Sequence, residues 1–292
     1  MAPSVARLDG NDQTSLMSTT VLGLVRASHP EPAVAVTVVA GLLALGVGHR
    51  PSGVAVVALT VLASQLAVGW SNDRLDADRD AAVGRTDKPV ASGAVSTRAV
   101  GLAAGAAALT TVLLAAAATN RTAAVWAAVA LVSALSYNWP LKSTRVSVLP
   151  YAVSFGALPA FVVLALPGAP APPAWLVAAA ALLGAGAHFA NVLPDLADDA
   201  RTGVRGLPHR LGAAGSRVAA AGLLLAATVT LVVGPPGPPS WAGLSAIATA
   251  ALVPPLTWYA GRGARRGVAA FRAVMLVALI DVVLLVANGR VV

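Results

Sequence analysis

Long apolar runs, broken by short polar or proline-rich joints, set the pattern of this chain. Each run is about 20 residues, the length a helix needs to cross a bilayer. In lipid every backbone polar group must find a partner within its own segment, which favours helices. The runs predict nine transmembrane helices, over residues 21–48, 52–72, 98–119, 122–139, 147–167, 173–194, 215–234, 239–261 and 267–288. Proline marks the joints. Pro51, Pro140, Pro167, Pro172 and Pro173 fall at span ends, and Pro235-Pro236-Gly237-Pro238-Pro239 makes a rigid turn. Residues 1–17 carry no such pattern and no signal-peptide core, and read as a disordered polar leader. Residues 18–292 then form one all-α transmembrane domain.

Composition agrees with the pattern. Of 292 residues, 57% are hydrophobic and 11% charged, against about a quarter charged in soluble domains. Alanine and glycine are abundant, which lets helices approach closely in lipid. Cysteine is absent, which excludes disulfides, thiolate metal sites and cysteine nucleophiles. The net charge of +8 raises the question of nucleic acid. Its distribution answers no, because the basic residues lie in short loops between apolar spans. Arg74, Arg79, Arg85, Lys88, Lys142, Arg145, Arg201 and Arg210 share one side with Arg26 and Arg272, while Arg50, Arg121 and Arg290 lie opposite. The positive-inside rule makes the first side cytoplasmic, together with the amino terminus.

Two acidic clusters stand out against the apolar background. They are Asn72-Asp73-Arg74-Leu75-Asp76-Ala77-Asp78-Arg79-Asp80 and Asp195-Leu196-Ala197-Asp198-Asp199. With Asp87 they hold eight of the twelve acidic residues. Ionised groups beside membrane helices are costly and tend to serve function. On a continuing helix Asn72, Asp76 and Asp80 share one face, since i, i+4 steps drift by only about 40°. Gln65 extends this stripe into the second span. His188, Asn191, Asp195 and Asp199 form a matching line that descends the sixth span. His188 itself suits either a polar residue packed against a neighbouring helix or a substrate contact. Tyr137 and Trp139 suit either an interfacial anchor or a pocket wall, and Asp281 in the ninth span reads as one partner of a structural pair.

Carboxylates facing one another repel and take up protons. A divalent cation relieves this, and Mg²⁺ favours oxygen ligands with positions left open for phosphate. Cations suited to the phosphate follow each cluster: Lys88, then Lys142 and Arg145, then Arg201.

These residues carry a resemblance. Asn72-Asp73-x-x-Asp76-x-x-x-Asp80 with Arg85-x-Asp87-Lys88-Pro89-x-x-x-Gly93 resembles the first signature of the UbiA superfamily of intramembrane prenyltransferases. Tyr137-Asn138-x-x-Leu141-Lys142-x-x-Arg145 resembles its basic segment. Asn191-x-x-x-Asp195-x-x-x-Asp199-x-Arg201-x-Gly203, then Leu207-x-x-Arg210-Leu211-Gly212, resembles its second signature. The chain departs from many members at Gly206, where they carry Ser or Thr.

The resemblance covers residues 20–290 and implies nine helices around a central chamber with cytoplasmic cap loops. It implies two Mg²⁺ ions bridging an isoprenyl diphosphate, one ion on Asp73, Asp76 and Asp80 and the other on Asp195 and Asp199. Asn72, Tyr137, Lys142 and Arg145 would contact the diphosphate, with Lys88 and Arg201 assisting. His188 and Asn191 complete the expected substrate contacts. The implied partners are the donor, a small-molecule acceptor and membrane lipid. Two other readings stay open. One is a terpene cyclase of the same superfamily, which ionises a prenyl diphosphate without an acceptor. The other is a cation or phosphate transporter, although transporters place charge near the midplane and often carry repeats.

Overall fold

The computed structural model describes residues 20–260, 272, 273, 275–277, 279, 280, 282 and 283. Among these the chain is helical, with no strand. The elements are α1 (Thr20–Ala27), α2 (Pro30–Gly46), α3 (Pro51–Ala82), α4 (Thr97–Ala118), α5 (Arg121–Asn138), a short 3-10 turn (Leu141–Ser143), α6 (Leu149–Leu164), α7 (Ala174–Val192), α8 (Leu196–Arg201), α9 (Leu207–Val233) and α10 (Trp241–Ala260). Consecutive long helices pack on one another, and contacts of α2 with α6 and of α3 with α5 close the bundle. Among the described residues four helices are long and apolar enough to cross a membrane, or five if α1 and α2 count as one span. The protein is a multi-pass membrane protein. The leader and Asp281 lie outside the described residues, as does much of the ninth expected span.

Three boundaries differ from expectation, each for a local reason. The first span is two helices meeting at 62°. Pro30 has no N–H to continue a helix, and His29 before it turns left-handed at φ 54, ψ 64. This joint rests on α3 at Gly69, where a Cβ would lie 2.5 Å from the Ser28 carbonyl oxygen. Only the missing side chain lets the joint come so near.

The second difference is at the end of the sixth span. The expected polar line from His188 to Asp199 does not run on one helix. Helix α7 ends at Val192, and Asp195 stands at the N-terminal boundary of the separate short helix α8. Pro194 lies between them, and its ring and missing N–H interrupt the hydrogen-bond ladder. The third is at the seventh span, where α9 starts at Leu207 rather than residue 215 and bends at Gly212.

The main apolar core fills one end of the bundle. It joins the end of α2 (Leu43, Val47), the start of α3 (Val57, Val61), Ala123 and Ala127 of α5, and Phe161–Leu164 of α6. Helix α3 has 32 residues. At 1.5 Å per residue it is about 48 Å long, well beyond the ~30 Å hydrocarbon layer. Its last turns therefore carry the first acidic cluster past the packed bundle, at the end opposite this core.

Candidate active site

A cavity of about 300 Å³ runs from the two acidic clusters down into the bundle. Its rim takes Asn72, Asp76, Arg79 and Asp80 from α3, Arg85 and Lys88 from the following loop, and Lys142 from the 3-10 turn. Opposite stand Asn191 of α7 with Asp195, Asp198 and Asp199. Its floor is apolar, with Val61, Ala127 and Phe161 shared with the main core.

The i, i+4 register of α3 builds the first wall. Asn72 donates to Asp76 at 3.1 Å and lies 3.4 Å from the Asn138 side-chain oxygen. Asn138, buried at the end of α5, donates to the Val68 carbonyl at 2.9 Å. That bond ties α5 to α3 and brings the Lys142 segment beside the carboxylates. Asp76 pairs with both Lys142 and Arg79. Burial pushes the Lys142 pKa below the ordinary lysine value, and the Asp76 charge opposes that shift.

Arg85 joins the two clusters. Its guanidinium holds Asp87 at 2.9 and 3.0 Å and reaches Asp195 at 3.0 Å. The hydrogen bonds to Asp87 hold Arg85 still more firmly in its charged form, and Arg85 in turn lowers the Asp87 pKa. Asp199 behaves in the opposite way. Burial first, then repulsion from Asp195 and Asp76, pushes its carboxyl up to about 6. His209 lies 3.4 Å from Asp199, within ion-pair range, although its ring nitrogens make no hydrogen bond.

Of the carboxylates expected to hold metal, Asp76, Asp80, Asp195 and Asp199 line the cavity and Asp73 does not. Asp73 is 1% exposed and pairs with Lys88 at 2.8 Å and with His29 at 2.8 Å. Of the expected substrate contacts, Asn72, Lys88, Tyr137, Lys142 and Asn191 line the cavity. Arg145 is exposed outside it, and Arg201, also outside the lining, pairs with Asp198.

His188 stands behind the wall, 1% exposed. Its Nε2 meets Ser147 Oγ at 3.0 Å. The same hydroxyl accepts from the Leu207 N–H at 3.0 Å. Ser147 thus caps α9 from another segment, because the Gly206 N-cap has no side chain to do so. A Cβ on Gly206 would collide with the Lys142 carbonyl oxygen and lie 2.9 Å from Ser147 Oγ. Glycine at position 206 thus permits this close packing of the two loops. Tyr137 and Tyr151 pack edge to face at 4.9 Å over His188 and present their other sides to the cavity.

Sequence reasoning passed over Arg79, Asp198 and Tyr151 as site residues, and it set Arg85 in a motif without a role. The i, i+3 spacing from Asp76 could have flagged Arg79. Nothing local marks Tyr151, which reaches Asn191 at 3.1 Å from 40 residues away.

A family model of the UbiA prenyltransferase family matches residues 33–280. No curated protein sequence matches significantly. Among solved structures, a UbiA homolog from Archaeoglobus fulgidus bound to GPP and Mg²⁺ is similar at TM-score 0.69 and 16% identity, over 91% of this chain and 98% of that one. The apo structure of a UbiA homolog from Aeropyrum pernix K1 is similar at TM-score 0.69 and 22% identity, over 89% of this chain and 96% of that one. A structure of digeranylgeranylglyceryl phosphate synthase gives TM-score 0.65 at 13% identity, over 92% and 98%. At these identities the likeness is one of fold.

Proposed function

Since the chain belongs to the UbiA prenyltransferase family, we propose that it transfers an isoprenyl group from an isoprenyl diphosphate to a small-molecule acceptor inside the membrane. The observation that carries this reading is a single cavity with carboxylates and cations from two distant segments at one end and an apolar floor at the other. The prenyl tail lies in the apolar part, where burial contributes about 0.8 kcal/mol per methylene. The diphosphate lies at the rim, which the positive-inside rule puts on the cytoplasmic side.

The donor set suits Mg²⁺ in kind, since all the candidate ligands are carboxylate oxygens. Among the described residues no three acids converge closely enough to hold an ion alone. That fits Mg²⁺, which is usually held by one or two carboxylates plus substrate phosphates. In this reading Asp76 and Asp80 hold one ion and Asp195 and Asp199 a second. When bound, the metal supplies neutralisation of the charge that develops on the departing diphosphate.

The chain's own groups do the rest. Lys142, Arg79 and Arg85 exchange carboxylate partners for diphosphate oxygens, and Asn72 donates to the same group. Asp73 anchors Lys88 at the rim. Tyr137 and Tyr151 wall off the reacting carbon from water. The test uses purified protein, Mg²⁺, a prenyl diphosphate and a candidate acceptor. Asp76→Ala and Asp195→Ala proteins lose diphosphate release, and normal turnover by either variant refutes the assignment.

A further inference from the structure

We propose that His209 is a positioning residue for the second carboxylate pair: its ring Nε2, without a partner in the free protein, closes on the Asp199 carboxylate and fixes it for a magnesium–diphosphate complex. This rests on the prenyl-transfer reading above and gives a role to a group that reading does not use.

The chain has four histidines, and three of them have a hydrogen-bond partner. His29 meets Asp73 at 2.8 Å, His49 donates to the Val162 carbonyl at 2.8 Å, and His188 meets Ser147 at 3.0 Å. His209 has none. Its side chain is 8% exposed, and both ring nitrogens are buried without a hydrogen bond. A buried polar group left unpaired is costly and calls for an explanation. Packing does not supply one, since a leucine would fill the same space at no such cost.

The group it faces does. Nε2 of His209 stands 3.4 Å from Asp199 Oδ2. A charge-assisted bond to a carboxylate measures about 2.7–2.9 Å, so about half an ångström remains to close. Asp199 has no other basic group within ion-pair range among the described residues. By contrast Asp76 has Lys142 and Arg79, and Asp195 has Arg85. Asp199 is thus the chamber carboxylate that His209 alone can hold by a direct bond.

The backbone says which side is held and which side holds. Asp199 rides on α8, a helix of six residues, too short to be stiff by itself. His209 rides in the first turn of α9, just after Pro208, where the Leu207 N–H is bonded to Ser147. The firmer element carries the donor and the looser one the ligand. An ionised carboxylate has two oxygens, so one takes the histidine N–H while the other faces the ion. Bonds of this kind from outside a ligand set orient it, and losing one lowers metal affinity by about 10–100-fold.

The test uses the full chain in nanodiscs and two variants. His209→Leu removes both nitrogens at similar volume, and His209→Gln keeps an N–H donor in place of Nε2. Two quantities are read: the Tm without metal or diphosphate, and the Mg²⁺ concentration that half-saturates binding of geranyl diphosphate. His209→Leu should keep or raise the wild-type Tm, because the free protein loses no bond. It should need about tenfold more Mg²⁺, and its affinity at saturating Mg²⁺ should match the wild type. His209→Gln should recover most of the Mg²⁺ response. A wild-type Mg²⁺ requirement in His209→Leu overturns the proposal, and so does a glutamine variant as weak as the leucine one. A lowered Tm in His209→Leu overturns it too, since the histidine would then serve the free fold. Inorganic diphosphate is run beside geranyl diphosphate. Failure of the prenyl-transfer reading looks different: the wild type then binds inorganic but not geranyl diphosphate with Mg²⁺, and the variants are compared on the inorganic probe. A wild type that binds neither overturns both.

Discussion

Replacing Ser147 by alanine should loosen both loops that face the diphosphate. Ser147 is fully buried, and its one hydroxyl oxygen meets His188 Nε2 and the Leu207 N–H, each at 3.0 Å. The substitution removes the side-chain acceptor at the N-terminus of α9, a loss worth about 0.5–2 kcal/mol. It also strands a nitrogen of His188, whose Nδ1 already lacks a partner, at about 1–3 kcal/mol. The sum is about 3 kcal/mol. For a chain of this size that corresponds to a fall in Tm of roughly 6 °C. The assay is thermal unfolding in detergent at one fixed scan rate, since unfolding of such proteins is often irreversible. Ser143→Ala, at an exposed serine of the neighbouring turn, is the control and should stay within about 0.5 kcal/mol. A double-mutant cycle with His188→Leu should show coupling of about 1 kcal/mol. Diphosphate release should fall in Ser147→Ala, because the segment that carries Lys142 loses its bonds to α7 and to the start of α9. A Tm unchanged to within about 1 °C, or no coupling to His188, refutes this account of the joint.

Two further outcomes follow from the ion pairs. Burial, then repulsion from Asp195, pushes the Asp199 carboxyl up to about 6. Its pKa is raised, so acidification through that value puts a proton on a carboxylate of the proposed metal set. Magnesium-dependent donor binding should weaken by up to tenfold per pH unit below about 6 and level off above about 7, and Asp199→Asn should remove this acid limb. Lys88→Met leaves the buried Asp73 with His29 alone and should cost about 3 kcal/mol, read as a lowered Tm. Adding Asp73→Asn should recover part of the loss.

Much of the site was legible because helical register is a local property. The i, i+4 spacing of Asn72, Asp76 and Asp80 predicted a shared face, and α3 puts all three on the cavity wall. Asp195 and Asp199 were equally readable within their own turn. Register failed where proline broke it. Pro194 ends the ladder of α7, so Asp195 and Asp199 leave the line of His188 and Asn191, and His188 meets Ser147 behind the wall. Pro30 splits the first span, and that split carries His29 to Asp73. Asp73 itself shows the limit of a motif. Its place beside the Asn72 face said nothing of the cation waiting fifteen residues on, in Lys88. Long-range partners such as Arg85 with Asp195, 110 residues apart, depend on how loops return over the bundle, and no periodicity encodes that.

The tethered cations at the rim have one more consequence. Lys88 answers Asp73, Lys142 and Arg79 answer Asp76, and Arg85 answers Asp195. The protein thus carries counter-ions of its own for three of these acids, while Asp199 keeps the repulsion from Asp195 and Asp76. Such a mouth can trade these internal partners for incoming ones, and only the acids left over still call for a cation.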